Sequence, residues 1–87
     1  INNLNFTQRE IDIIACLVGG KSYKKIASLL GISSKTVDTH VRNIMGKIGC
    51  NAKNNIIDFI EQSNKFKLIK QHYSNLLIDE MFEAALK

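Results

Sequence analysis

The sequence predicts an all-α fold, four short helices followed by an extra amphipathic helix at the C-terminal end. Apolar residues recur at intervals of three and four along most of the chain. Ser, Thr or Gly stands where most of these segments would begin or stop, and no run alternates in the manner of a half-buried strand.

Each element has a local reason. Thr7 and Glu10 form a T-x-x-E capping box ahead of Ile11, Ile14, Ala15, Leu17 and Val18, so a first helix is expected from about Gln8 to Val18. Leu4 and Phe6 precede the cap, placed to fold back as a hydrophobic staple, and Gly19-Gly20 ends the helix. Ser22 caps a second helix through Leu30. Gly31 can take the left-handed conformation that stops it, which costs a residue with a Cβ about 1 kcal/mol or more. Ser33 with Thr36 caps a third helix from Ser34 to about Ile48, where Val37, Val41, Ile44 and Ile48 form one apolar stripe. Gly49 ends it. A fourth helix from about Ala52 to Gln62 carries Ile56, Ile57, Phe59 and Ile60. Beyond Ser63-Asn64, a fifth is expected through Phe66, Ile69, Tyr73, Leu76, Leu77, Met81 and Ala84. Residues 1–62 thus read as one domain and 63–87 as an appended helix that packs on it, pairs with a second chain or leads into a further domain.

The second and third helices form a helix-turn-helix. Ala27 is small where the third helix must cross the second, Gly31 makes the turn, and Ile26, Leu30, Ile32 and Val37 bury the corner. In that motif the second of the two helices is presented to the major groove of DNA.

Charge follows the same segment. The chain of 87 residues has 12 Lys+Arg against 8 Asp+Glu, a net of +4. Between Gly19 and Lys53 seven basic residues face Asp38 alone, a local net of +6, while residues 61–87 are neutral. A polyanionic partner fits that asymmetry. Cys16 and Cys50 lie too far apart for a metal knuckle and are expected to be reduced. No apolar run approaches membrane-spanning length and no signal peptide is recognisable, which favours the cytoplasm. The first residue is Ile, not Met, as in a processed protein or a piece of a longer one. No Ser, Cys or carboxylate pair shows catalytic spacing, so neither an enzyme nor a cofactor is expected.

Opposite the apolar stripe of the third helix lie Lys35, Asp38, Thr39, Arg42 and Gly46. Arg42 can donate two hydrogen bonds to guanine, and Thr39 can touch a thymine methyl or a phosphate. Asp38 either reads a cytosine amino group or aims Arg42, four residues on. Lys21, Ser22, Lys24 and Lys25 gather at the start of the second helix, where free N–H groups and the helix dipole favour phosphate. Ser33, Ser34, Lys35 and Thr36 form a similar mouth on the third helix, with Asn43 and Lys47 placed to reach the backbone beyond. His40 lies at the stripe's edge and has no acidic or cysteine cluster around it; a packed or phosphate-facing role suits it better than a metal.

The runs F-T-Q-R-E at Phe6–Glu10, G-G-K-S-Y-K-K-I-A at Gly19–Ala27 and I-S-S-K-T-V-D-T-H-V-R-N-I-M-G-K-I at Ile32–Ile48 resemble the LuxR-type (GerE-like) helix-turn-helix domain of bacterial transcription regulators. The likeness covers about Leu4 to Ile60. It implies a four-helix domain whose third helix reads double-stranded DNA, and which usually sits behind a covalently linked sensory or receiver domain. The fourth helix of such domains commonly dimerises, here through Ala52, Ile56, Ile57, Phe59 and Ile60, giving a homodimer on DNA. The resemblance assigns base-facing positions to Asp38, Thr39 and Arg42, and backbone contacts to Lys21, Ser22, Ser33, Thr36, His40, Asn43 and Lys47. Asp38 departs from the usual Lys, Lys25 from Glu, Lys53 from Arg, and Gly46 from a long side chain. Gly46 costs about 1 kcal/mol of helix propensity, which points to a frayed end or to close approach of a sugar-phosphate. Two other readings keep the fold: a protein-interaction module that has lost its nucleic-acid face, and promoter binding like that of sigma-factor region four.

Overall fold

The computed structural model describes residues 5–86, which form five helices and contain no strand. They are α1 (Gln8–Val18), α2 (Tyr23–Leu30), α3 (Ser34–Ile48), α4 (Lys53–Glu61) and α5 (Phe66–Leu86). The first three match the sequence expectation. The fourth starts one residue later, because Ala52 occupies the N-cap with no side chain able to accept a hydrogen bond.

The caps form as their residues dictate. Thr7 Oγ1 accepts from the Glu10 N–H at 3.1 Å while Glu10 Oε1 accepts from the Thr7 N–H at 2.8 Å. Ser22 and Ser33 accept from the N–H groups of Lys25 and Thr36. Gly31 and Gly49 close α2 and α3 at φ of 68° and 86°, the left-handed region that favours glycine. Of the expected staple, Phe6 is half-buried against the core, and Leu4 lies outside the described residues.

α1 is the hub. Ile13 to Leu17 are buried in succession, so this helix is covered on nearly every side, unlike a surface helix with one apolar stripe. It packs on α3, α4 and α5, while α2 lies across α3 and α3 touches α4. Ile26, Ala27, Val37, Val41, Ile44, Ile56, Ile60 and Ile69 complete the core. Each fully buried isoleucine contributes about 1.5–3 kcal/mol. Ile48, expected in the buried stripe, is half-buried, since it lies at the helix end.

α5 is held by Ile69, by Tyr73 and Leu76 against the core, and by His72, whose Nε2 lies 2.7 Å from Asp12 Oδ1 of α1. Its amphipathic pattern fades toward the end: Ile78, Met81, Phe82 and Leu86 are exposed. Gly19 lets α5 approach α1. It has an ordinary φ of −73°, but a Cβ there would lie 2.7 Å from the Tyr73 ring. Gly19→Ala is therefore expected to cost about 1–3 kcal/mol by overpacking. Urea unfolding checks this, and Tyr73→Leu should recover part of the loss; an additive double mutant would show that the ring is not the obstacle.

Candidate nucleic-acid interface

Because Val37, Val41 and Ile44 are anchored in the core, the opposite side of α3 turns to solvent. Lys35, Thr39, Arg42, Asn43 and Gly46 are exposed there, with Asp38 and His40 half-buried at its margins. Arg42 Nε lies 2.9 Å from Asp38 Oδ2, an ion pair across one helical turn. The Arg42 side chain is still 74% exposed, so the pair leaves most of the guanidinium open to solvent. Thr39 Oγ1 donates to the Lys35 carbonyl at 3.1 Å, which fixes the hydroxyl along the helix. At the mouth of α3 the Ser33 and Thr36 hydroxyls lie 2.8 Å apart. The first N–H groups, at Ser34 and Lys35, have no acceptor inside the helix.

Tyr23, at the first position of α2, is a residue the sequence reading passed over. Burial, together with the charge of Asp38, raises its hydroxyl pKa, and Arg42 opposes that rise. α2 packs on α3, and at its start Ser22, Lys24 and Lys25 are exposed and Lys21 half-buried. Lys53 from α4 sits over the same ring, its Nζ 5.2 Å from the centroid. No periodicity marks Tyr23, and only its position next to Ser22 hints at a role.

Two expectations need correction. Lys47 is expected among the backbone contacts, but its ammonium is already engaged by the chain itself: Nζ lies 2.6 Å from Glu10 Oε1 and 2.8 Å from the Asn5 carbonyl, and 5.6 Å from the Phe6 centroid. A phosphate would have to compete with a carboxylate that is only 4% exposed. Burial alone would raise the Glu10 pKa, but hydrogen bonds from Lys47 and Thr7 and the Lys47 charge outweigh it and hold the carboxyl below its ordinary value. Ile56 and Ile60 were assigned to dimerisation, yet both are fully buried within one chain. A partner could reach them only by opening the core. Ala52, exposed, and Ile57 and Phe59, half-buried, remain on the surface of α4.

Cys16 and Cys50 are both free thiols. Burial first, and Asp12 second, push Cys16 up to about 11, which makes it a poor nucleophile. Among the described residues no group of three or more His, Cys, Asp or Glu is placed to hold a metal, and no helix is long and apolar enough to cross a membrane.

Lys24 is exposed beside the N-cap of α2, and its charge meets no acidic partner within ion-pair distance among the described residues. Lys24→Ala should weaken duplexes of every sequence alike and reduce the salt slope by about 1. Titration at several salt concentrations measures both, and a loss confined to one sequence would contradict a backbone role.

Comparison with known proteins identifies the family. The family model for bacterial regulatory proteins of the luxR family matches residues 4–60. Transcriptional regulatory protein TdiR of Thauera aromatica is 43% identical over 54 residues, 62% of this chain and 24% of the relative. Fimbriae Z protein of Escherichia coli K12 is 40% identical over 63 residues, 72% of this chain and 29% of its own length. Nitrate/nitrite response regulator protein NarP of the same strain is 43% identical over 47 residues, 54% and 22% of the respective chains. The chain thus spans about a quarter of the length of these relatives. No solved structure gives a significant match. With a family match over well more than half of its length and a helix-turn-helix to carry it, the chain belongs to the luxR family of bacterial regulatory proteins.

Proposed function

We propose that residues 1–62 bind double-stranded DNA sequence-specifically, as the output domain of a bacterial transcription regulator in the cytoplasm. α3 lies in the major groove. Asp38, Thr39 and Arg42 face base edges, with Asp38 aiming the Arg42 fork. Lys21, Ser22, Lys24 and Lys25 at the start of α2, and Ser33, Ser34, Lys35, Thr36, His40 and Asn43 on α3, hold phosphates. α5, in residues 63–87, buttresses α1.

The observation that carries this reading is the exposed Arg42–Asp38 pair on a side of α3 whose opposite stripe is locked in the core. The reading extends to a homodimer on two half-sites about one helical turn apart, joined through Ala52, Ile57 and Phe59 of α4. Relatives about 2.5 times as long as this chain support a covalently linked sensory or receiver domain in the intact regulator.

A gel-shift salt titration on selected and random duplexes tests the proposal. A selected duplex should bind about 10³-fold or more tighter than random DNA, and both should weaken steeply with salt. A protein-interaction module on the same fold would show neither slope nor selection.

A further inference from the structure

Of the five glycines, four are explained inside the fold. Gly20, Gly31 and Gly49 have φ of 79°, 68° and 86°, and a Cβ at Gly19 would strike the Tyr73 ring. Gly46 has neither reason. It lies within α3 in helical conformation, it is exposed, and a Cβ built there meets nothing within 4 Å among the described residues. Nor is the helix frayed, since α3 continues to Ile48 and closes regularly, with the Gly49 N–H donating to the Met45 carbonyl at 2.8 Å. Within the free chain, an alanine would fit better than what is there. Nothing among the described residues accounts for the glycine.

We propose that Gly46 is the point where a DNA sugar-phosphate backbone passes directly against the main chain of α3, so that the missing side chain sets how deeply the helix enters the groove. This rests on the functional reading above. Gly46 follows Thr39 by seven residues and Arg42 by four, so it shares their side of the helix and lies roughly 6 Å further along the axis. Base edges are read by the first turns of such a helix, and the later turns meet the backbone as the helix leaves the groove. A bare helix surface admits a neighbour about 2–3 Å closer than one covered by side chains. The next residue, Lys47, is drawn away to Glu10 and the Asn5 carbonyl and does not stand in the path. The contact is therefore one of shape, with no charge contributed by residue 46.

Gly46→Ala and Gly46→Leu, each compared with the wild-type chain, separate the possibilities through melting temperature and duplex affinity at several salt concentrations. Gly46→Ala should melt roughly 4–8 °C higher, as a helix-interior glycine replaced without a clash. It should nevertheless bind the preferred duplex about 10-fold or more weakly, the size expected when a methyl is forced into a close-packed contact. The salt slope should stay unchanged, and Gly46→Leu should bind more weakly still. Affinity of Gly46→Ala within twofold of wild type would overturn the inference, and so would a lower melting temperature, which would reveal an internal reason for the glycine. A wild-type chain that binds no duplex would instead defeat the underlying functional reading, and this inference with it.

Discussion

Lys47→Met is expected to remove about 2–4 kcal/mol of folding stability, which lowers the melting temperature by roughly 10–25 °C in a domain of this size. The substitution keeps most of the aliphatic stem and deletes the ammonium. Glu10, 3% exposed, would then be a buried carboxylate held, among the described residues, by Thr7 alone. The Lys47 side chain is itself 35% exposed, so the loss falls below that of a fully enclosed pair. The acid limb of the stability curve gives an independent check. Glu10 has its pKa lowered in the folded chain, so the unfolded chain binds the proton more readily. The stabilisation is therefore complete above the ordinary carboxylate value and is lost as pH falls toward the depressed one. In Lys47→Met only the Thr7 hydrogen bonds still oppose the burial effect, so acidification should destabilise the variant less than it does wild type. Removing both charges, as Glu10→Leu with Lys47→Met, should recover much of the deficit. Unchanged melting together with an unchanged acid limb would mean the pair is incidental.

Arg42→Ala should weaken the preferred duplex by about 1–3 kcal/mol, roughly 5- to 150-fold, and relax discrimination at one base pair. Folding should be almost unaffected, because an exposed pair four residues apart on a helix contributes only about 0.3–0.5 kcal/mol. Arg42→Lys should not rescue the discrimination. A lysine keeps the charge but not the planar fork that matches two acceptors on guanine. Competition binding against a panel of single-base variants measures the effect, and wild-type affinity and selectivity in Arg42→Ala would remove Arg42 from the reading surface.

Local chemistry was the legible part of this chain. The Thr7–Glu10 box, the Ser22 and Ser33 caps and the Gly31 and Gly49 stops act within a few residues, and all stand where the pattern placed them. The side of α3 turned outward was legible for the same reason, since a 3.6-residue period fixes which residues oppose Val37, Val41 and Ile44. What escaped was contact between distant segments. Lys47 reads as one more base in a basic stretch until Glu10, 37 residues earlier, is found beside it. In α4, four apolar residues within five positions leave the buried side undetermined, and only the packing on α1 and α3 separates Ile56 and Ile60 from Ile57 and Phe59. The Gly19–Tyr73 fit likewise joins residues that no local pattern relates.

The way α5 is attached has a mechanical consequence. Its one buried residue among those described, Ile69, lies near its beginning, and its grip is chiefly on α1, without a substantial contact to α3. From Ile69 to Leu86 the helix extends about 25 Å. Ile69, His72, Tyr73 and Leu76 hold its first half against α1 and the core, and the ten residues beyond Leu76 run on as an overhang of about 15 Å.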